Sequence, residues 1–297
     1  MTARHVVRLA ADADFAAPRD WAKGATAYSR WSAVAESDGA VHTGFGVCDL
    51  EPGGSLPTHV HSFEESVYVA DGSCRLDTSE GSFRLGPGDY ALIPVGVPHR
   101  WRNDGADRAR WAEMQGPVPR NGHDGDTLLV PELPDRDDIL DVDVRDPRTR
   151  RFGHIEPVHM EPGRQDQASL AVSASMRTAL LVYSGITVKM MVDSDLGADL
   201  TTMFMVQYEP AGVAGAHDHP FEETYYFLEG RAEATFDDGR YELGPGDVAW
   251  AGVGCVHGFR NLGDGPLRWL ETQSPQPPGR HSYRFARDWD YLRGVLP

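Results

Sequence analysis

Short runs of alternating apolar and polar residues recur along the chain, and Gly, Pro or Asp residues separate them. The clearest runs of the first half lie at residues 66–69, 74–77, 82–85 and 90–93. A period of two places successive side chains on opposite faces of a strand, and strands this closely spaced are typical of a sandwich or barrel. The pattern therefore predicts an all-β fold with few short helices.

The pattern occurs twice. Residues 51–117 align with residues 209–275 at a constant offset of 158 residues, without insertion or deletion. In this alignment HVHSFEESVY faces HDHPFEETYY, and GPGDYA faces GPGDVA. Each copy is long enough to enclose its own core, so the repeat predicts two domains, which we place at residues 1–150 and 151–297.

The segments outside the repeated strands give weaker predictions of secondary structure. Residues 117–167 are rich in Pro, Gly, Asp and Arg and predict a polar connector with at most short strands. The apolar stretches at residues 170–193 and 202–208 predict further strands, and residues 285–292 a short helix. The GPGD sequences at residues 86–89 and 244–247 predict tight turns, because glycine adopts backbone angles that other residues resist.

The charge and composition of the chain limit the classes of molecule that it is expected to bind. The 297 residues include 45 acidic and 28 basic side chains, and the formal charge of −17 should repel phosphate backbones and anionic lipid. No apolar run approaches the roughly 20 residues of a spanning helix, and the first residues lack the apolar core of a secretory signal. We expect a cytoplasmic protein that binds neither nucleic acid nor membrane, with Cys48, Cys74 and Cys255 as reduced thiols.

One group of polar residues in the second copy has the spacing of a metal site. His217, His219 and Glu223 would project from one face of an extended strand, whereas Glu222 would point the other way. His257 lies beyond the GPGD turn, on a strand expected to return antiparallel toward the other three. Three imidazoles and one carboxylate suit a divalent first-row metal with coordination positions left for substrate.

The first copy has the same four residue types at the same spacing: His59, His61, Glu65 and His99. A single His-x-His pair on a surface is usually without function. Four residues that recur at identical spacing in two diverged copies favour a metal site in each copy instead.

These residues resemble the two motifs of the cupin superfamily. The first motif, G-x5-H-x-H-x3–4-E-x6-G, is matched by Gly53, His59, His61, Glu65 and Gly72, and in the second copy by Ala211, His217, His219, Glu223 and Gly230. The second motif, G-x5-P-x-G-x2-H-x3-N, is matched by Gly88, Pro94, Gly96, His99 and Asn103, and then by Gly246, Gly252, Gly254, His257 and Asn261. Ala211 and Gly252 depart from the motifs, and neither departure removes a ligand.

The resemblance implies two tandem cupin barrels of jelly-roll type, a bicupin, with one divalent transition metal in each. Fe(II) is the first choice, and Mn, Ni, Cu or Zn are alternatives. Similar bicupins include ring-cleaving and flavonol-type dioxygenases, so the resemblance implies an oxidoreductase acting on an enolic, phenolic or diketone-like small molecule. Cupins of this kind commonly pair as homodimers, which we also expect here.

Two other functions stay open. A redox-neutral decarboxylase, isomerase or hydrolase of an oxalate- or ureide-type substrate would use the same ligands, and a non-catalytic binding protein would use the fold alone. Among these functions we favour the dioxygenase, and we assign the catalytic roles to Glu223 and His257. We choose the second copy because Tyr225 and Phe227 there replace Val67 and Val69.

Several further residues have two interpretations. Cys255 could face the metal site or be a small buried hydrophobic residue, and Phe63 and Phe221 could be barrel core or stack on substrate. Four residues could orient a ligand histidine or bond to backbone: Glu113, Gln115, Glu271 and Gln273.

Overall fold

The computed structural model of the chain describes residues 4–17, 23–120, 126–143, 145–162, 183–276 and 284–285. In chain order the strands are β1 (His5–Arg8), β2 (Thr26–Val34), β3 (Gly44–Ser55), β4 (His59–His61), β5 (Glu64–Asp71), β6 (Cys74–Thr78), β7 (Ser82–Leu85), β8 (Asp89–Ile93), β9 (His99–Arg102), β10 (Ala109–Gly116), β11 (Thr127–Leu129), β12 (Ile139–Asp141), β13 (Phe152–His154), β14 (Tyr183–Val192), β15 (Thr202–Asp218), β16 (Glu222–Glu229), β17 (Ala232–Phe236), β18 (Gly239–Leu243), β19 (Val248–Ala251), β20 (His257–Asn261), β21 (Leu267–Ser274) and β22 (Arg284–Phe285). Short 3-10 helices lie at Ala10–Asp12, Glu36–Asp38, Pro147–Thr149 and Pro157–Met160.

The predicted all-β class is confirmed, and so are the strands expected at residues 66–69, 74–77, 82–85 and 90–93. The predictions for residues 170–182 and 286–292 lie outside the described residues. No helix in the part of the chain described above is long and apolar enough to cross a membrane.

The chain divides into two compact units. The N-terminal unit comprises Ala13–Glu156 and Met191–Thr202, and the C-terminal unit comprises Met1–Asp12, Pro157–Met190 and Met203–Pro297. Each unit thus takes a short segment from the other half of the sequence. The division at residues 150 and 151 stays a proposal about the duplicated sequence.

The N-terminal unit is built on a curled sheet with the strand order β12-β7-β6-β9-β3-β10-β5-β8-β13, and β2, β4 and β11 pair at its sides. Inward side chains from these strands form one core, which includes Leu50, Val67, Leu76, Trp101 and Trp111. Alternation along each strand explains this core, since every second side chain faces the same interior.

The C-terminal unit is built on a second curled sheet with the order β1-β19-β16-β21-β15-β20-β17-β18, and β14 and β22 pair with β15. Its separate core includes Tyr225, Phe227, Phe236, Phe259 and Trp269. The first strand of the chain, β1, covers the edge of β19, an edge that would otherwise expose unpaired backbone groups. The prediction of two tandem barrels is confirmed.

The two GPGD turns have the expected geometry. Gly88 and Gly246 have φ angles of 88° and 87°, in the left-handed region that glycine tolerates. In each turn the aspartate side chain accepts a hydrogen bond from the first glycine, from Gly86 to Asp89 at 2.7 Å and from Gly244 to Asp247 at 2.8 Å. The turns fix where β8 and β19 begin.

The polar connector predicted at residues 117–167 contributes three short strands to the N-terminal unit. These strands, β11, β12 and β13, pair with β4, β7 and β8. A cluster of charges adds to this attachment. Asp77, 2% exposed, accepts hydrogen bonds from Arg75, Arg100 and Arg102 at 2.7 to 2.9 Å. Arg100 and Arg102 also donate to Asp135 of the connector, at 2.6 and 2.7 Å.

Asp77 should contribute strongly to stability in a pH-dependent way. Burial would raise the pKa of Asp77, but hydrogen bonds from Ser82, Arg100, Arg102 and Arg75 lower it to about 2. A carboxylate with a depressed folded-state pKa stabilises fully above its unfolded pKa of about 4, and that contribution is lost as the pH falls toward 2.

We expect Asp77→Asn to lower the free energy of unfolding of the N-terminal unit by about 3 kcal/mol at pH 7, because it removes the buried carboxylate that Arg75, Arg100 and Arg102 share. The difference from wild type should shrink between pH 4 and pH 2. Urea unfolding across this pH range is the measurement. Asp141→Asn removes the partner of the exposed Arg84 and should change little; equal effects of both substitutions would contradict the prediction.

Candidate functional site

In the N-terminal unit the four predicted residues come together. His59 on β4 lies directly opposite His99 on β9 in the antiparallel register, and His61 follows on β4. One ring nitrogen of each histidine lies within 4.8 Å of the other two. Glu65, on β5, places its Oε2 at 3.3 Å from the Nε2 atoms of both His61 and His99. All four side chains are buried.

The C-terminal unit repeats the arrangement. His217 on β15 lies opposite His257 on β20, as the predicted antiparallel return requires. The nitrogens of His217, His219 and His257 again lie within 4.8 Å of one another. The Oε2 atom of Glu223 is 2.7 Å from His219 Nε2 and 3.3 Å from His257 Nε2.

One detail of the sequence prediction was wrong. The histidine pair and the glutamate of each copy do not lie on one continuous strand, because β4 ends at His61 and β5 begins at Glu64, while β15 ends before His219. The choice of Glu65 over Glu64 nevertheless agrees with the structure. Glu64 turns away from the histidines and accepts hydrogen bonds from the backbone N–H groups of residues 199–201 at 2.9 to 3.1 Å.

All six histidines are oriented by their Nδ1 atoms. In five of them Nδ1–H donates to a backbone carbonyl at 2.8 to 3.0 Å: His59 to Pro57, His99 to Val97, His217 to Gly215, His219 to Phe221 and His257 to Cys255. In the sixth, His61, Nδ1 lies 2.8 Å from Thr127 Oγ1. A carbonyl can only accept, so the proton sits on Nδ1 and the lone pair of Nε2 faces the cluster.

The environment keeps the rings of His59 and His217 neutral, whereas Glu223, against the effect of burial, raises the pKa of His219. Burial, with help from His99 and His61, lowers the pKa of His59 well below its ordinary value. Burial and the field of His257 lower the pKa of His217 to about 3. Although burial opposes it, His219 and His257 hold the pKa of Glu223 well below its ordinary value, so this carboxylate stays ionised. Neutral imidazoles and an ionised carboxylate are the forms that bind metal.

The donor set fits a divalent metal in each unit. The Nε2 atoms of His99 and His257 and the Oε2 atom of Glu65 are buried and, within the described ranges, have no hydrogen-bond partner. Buried polar atoms without partners are costly. His99 Nε2 and Glu65 Oε2 lie 3.3 Å apart in the N-terminal unit, and His257 Nε2 lies 3.3 Å from Glu223 Oε2 in the C-terminal unit, so an ion shared within each unit would explain them. We therefore treat the eight predicted residues as the candidate ligands.

The surroundings of the two glutamates differ. In the C-terminal unit Tyr225 and Gln273 each donate a hydrogen bond to one oxygen of Glu223. In the N-terminal unit Val67 takes the place of the tyrosine, and Gln115 donates to Glu113 instead of Glu65. The glutamines therefore orient carboxylates, where we had expected a ligand histidine or the backbone as partner.

Two phenylalanines and a threonine contact candidate ligands in ways that the sequence did not predict. Phe63 stacks on His61 with ring centres 4.1 Å apart, and Phe221 stacks on His219 at 4.0 Å, so both aromatic residues hold a candidate ligand. Thr127 reaches His61 from the connector strand β11. The stacking could have been anticipated, because each phenylalanine lies two residues after its histidine in both copies.

A buried cation lies in the interior of the N-terminal unit. Arg30 is 7% exposed, and its Nε is 3.7 Å from Glu113 Oε2. A Cβ at position 46 would lie 2.4 Å from the guanidinium carbon, so Gly46 makes the room that Arg30 fills. Its Nε and Nη2 atoms are buried without a hydrogen-bond partner in the described part of the chain. The aligned residue of the second copy is Val188.

We expect Tyr225→Phe to weaken metal binding at the C-terminal site by about 10-fold, because it removes a hydrogen bond that orients Glu223. The measurement is a competition titration with a chromophoric chelator in the His59→Ala background, where the N-terminal cupin site no longer competes for the metal. Tyr226→Phe removes a hydroxyl from the adjacent residue, which faces the other side of β16, and should leave the affinity unchanged. Unaltered affinity in Tyr225→Phe would contradict the orienting role.

Comparison with known proteins agrees with this geometry. The cupin domain family matches residues 46–114 and 204–272. Protein SchB of Streptomyces halstedii is 37% identical over 89 residues, which make up 29% of this chain and 64% of SchB. Quercetin 2,3-dioxygenase of Bacillus subtilis is 26% identical over 232 residues, 70% of this chain and 66% of that protein. Each match thus spans just under two thirds of the relative.

Among solved structures, oxalate decarboxylase from Bacillus subtilis superposes with a TM-score of 0.65 over 100% of this chain and 81% of its own. The sequence identity is 17%, so this likeness establishes the fold alone. The domain matches in both halves and the two curled sheets lead to one conclusion: the chain belongs to the cupin superfamily, as a bicupin with two tandem domains.

Proposed function

We propose that the chain is a metal-dependent dioxygenase that acts on a small metal-chelating molecule of enolic, phenolic or diketone type. The observation that carries this proposal is the pair of three-histidine clusters, one in each unit. In each cluster the Nδ1 atoms are anchored, and the imidazole rings lie together beside a buried glutamate. Such a set leaves coordination positions for substrate oxygens. Fe(II) is our first choice of metal, ahead of Mn, Ni, Cu or Zn.

When bound, the metal would act as a Lewis acid that brings a chelating substrate and dioxygen together. The chain's own residues would do the rest. His217, His219, His257 and Glu223 would hold the ion, and the hydrogen bonds from Tyr225 and Gln273 would keep the Glu223 carboxylate aimed at it. Our assignment of Glu223 and His257 as catalytic residues remains part of the proposal.

The C-terminal interior suits an aromatic or enolic substrate. Tyr225, Phe236 and Phe259 surround His257 with ring centres 5.9 to 6.1 Å away. This aromatic wall excludes water, which strengthens electrostatic interactions at the site. Glu271 is buried beside Glu223 and accepts a hydrogen bond from Trp269 Nε1 at 2.9 Å. Burial and the charge of Glu223 raise the pKa of Glu271 well above its ordinary value, so this uncoordinated carboxyl group would hold a proton at the site and exchange it with substrate.

One relative supports the same choice. Quercetin 2,3-dioxygenase is similar to this chain over 232 residues and covers 70% of it, which is more than either cupin domain alone. We extend from it only the reaction class that its name gives, a dioxygenation. Homodimer formation and a cytoplasmic location remain expectations from the sequence.

A redox-neutral reaction on a carboxylate substrate is the second candidate, and the buried Arg30 favours it. An arginine with unused donors inside the N-terminal barrel offers the planar fork that a carboxylate accepts. The same fold is found in oxalate decarboxylase. In this reading the N-terminal unit, whose Glu65 lacks the tyrosine contact seen at Glu223, would bind the substrate anion.

We expect the anaerobically purified protein to hold one metal ion at each of the two cupin sites and to consume O2 with at least one member of a panel of catechols and β-diketones. His217→Ala should remove one ion and the oxygen uptake, because it removes a ligand from the aromatic-lined site. His59→Ala should remove the other ion and leave the uptake in place. Metal analysis and an oxygen electrode provide the two readouts.

His159→Ala is the matched control, since this histidine is exposed and lies outside both clusters. Loss of oxygen uptake in His59→Ala rather than His217→Ala would move the chemistry to the N-terminal unit. Full metal content without oxygen uptake, together with CO2 release from oxalate, would replace the dioxygenase by the redox-neutral reaction. Less than a tenth of the expected metal would overturn both enzymatic proposals.

A further inference from the structure

A third group of metal-binding side chains lies in the C-terminal unit, outside the histidine and glutamate cluster. His5 on β1, Asp237 in the turn after β17 and Cys255 before β20 each offer one atom within 4.8 Å of the other two. Nitrogen, carboxylate oxygen and sulfur are the three donors that zinc uses most in proteins. The cluster brings together residues far apart in the sequence, and the motifs of the fold do not include them.

The orientation of His5 points to a ligand. Its Nε2 lies 2.8 Å from the hydroxyl of Tyr241, and its ring stacks on Phe236 with centres 5.6 Å apart. Its Nδ1 is buried and has no hydrogen-bond partner among the described residues. If Tyr241 accepts the Nε2 proton, the Nδ1 lone pair is left free for an ion in the cluster that His5 forms with Asp237 and Cys255.

Asp237 is held in place and still has capacity. Its carboxylate accepts from Arg4 Nε at 3.2 Å, from Arg4 Nη2 at 2.7 Å and from Val256 N–H at 3.2 Å. A carboxylate has about four acceptor positions, so one remains for an ion. The guanidinium of Arg4 also offsets the negative charge that Asp237 and a thiolate would bring together.

Cys255 is 1% exposed. Its side chain is a free thiol that forms no disulfide. On binding, the metal–sulfur bond would form as the thiol proton passes to solvent. The N-terminal unit has no such group, because Ser79 and Val97 are the aligned residues for Asp237 and Cys255.

From these contacts we propose a third metal site, formed by His5, Asp237 and Cys255, that takes a zinc-class divalent cation and clamps the strand β1 onto the C-terminal barrel. Three protein ligands leave one tetrahedral position for water. The backbone already places the strand, since β1 pairs with β19 from His5 to Arg8. A cation would add a link between the start of the chain and residues more than 200 positions away.

Cobalt(II) separates this site from the other two, because only this cluster contains sulfur. We expect the full-length protein, reduced and initially metal-free, to develop a near-ultraviolet thiolate-to-cobalt charge-transfer band whose intensity at excess cobalt corresponds to one bound thiolate per chain. The band should persist in His59→Ala and His217→Ala. It should vanish in Cys255→Ala, and His5→Ala should weaken the cobalt affinity that it reports by more than about 10-fold.

Cys48→Ser and Cys74→Ser are the matched controls, since both thiols are buried in the other unit. Wild-type protein tests the proposal without any substitution: absence of the band at excess cobalt would overturn it. A band that survives in Cys255→Ala, or that disappears in Cys48→Ser alone, would assign the sulfur to another site and would equally overturn it. Neither outcome bears on the reaction proposed for the two cupin sites.

Discussion

The hydrogen bond from Nδ1 of each candidate histidine is the interaction on which both sites depend. Five of the six rings donate to a carbonyl close to them in sequence, two residues away, so the orientation is built into the local chain. Each bond fixes the tautomer and points Nε2 at the cluster. The barrel then contributes the antiparallel register that places His59 opposite His99 and His217 opposite His257. Without the anchors, six buried rings would have no preferred direction.

The two units have the same candidate ligand residues, but the side chains around these ligands differ. The C-terminal site is surrounded by aromatic rings, and two hydrogen bonds restrain its glutamate. The N-terminal site has no such restraint on Glu65, and its barrel contains the buried pair of Arg30 and Glu113. Because a metal's reactivity follows the groups around its ligands, the two units should differ in chemistry even where their ligands are the same.

Much of this structure could be predicted from the sequence. Alternating residues and the duplicated motifs gave the fold, and strand parity separated Glu65 from Glu64. The break between β4 and β5 was missed because the turn at Ser62 and Phe63 carries no Gly or Asp signal. In the second copy Pro220 lies at the equivalent break and is a signal that the prediction did not use. The pattern also gave no sign of the contacts made by Thr127, Arg30 and His5. Those contacts join segments distant in the sequence, and only the folded chain brings them together.

The exchange of short segments between the units has the same origin. Residues 4–12 precede the first repeat, and nothing in their alternation states which sheet they join. Pairing of β1 with β19 covers an edge strand of the C-terminal unit. The N-terminal unit in turn uses the backbone of residues 199–201 to satisfy the buried carboxylate of Glu64. In both cases a segment distant in the sequence removes an unfavourable local feature. The first feature is an unpaired strand edge, and the second is a buried charge.

The orientation of the histidines can be measured directly by long-range nitrogen NMR of the imidazole rings in the metal-free protein at pH 7. We expect the five rings anchored to carbonyls to carry a proton on Nδ1, and zinc to shift the signals of their Nε2 atoms. An Nδ1 atom without a proton in these rings would contradict the anchoring on which both sites rest.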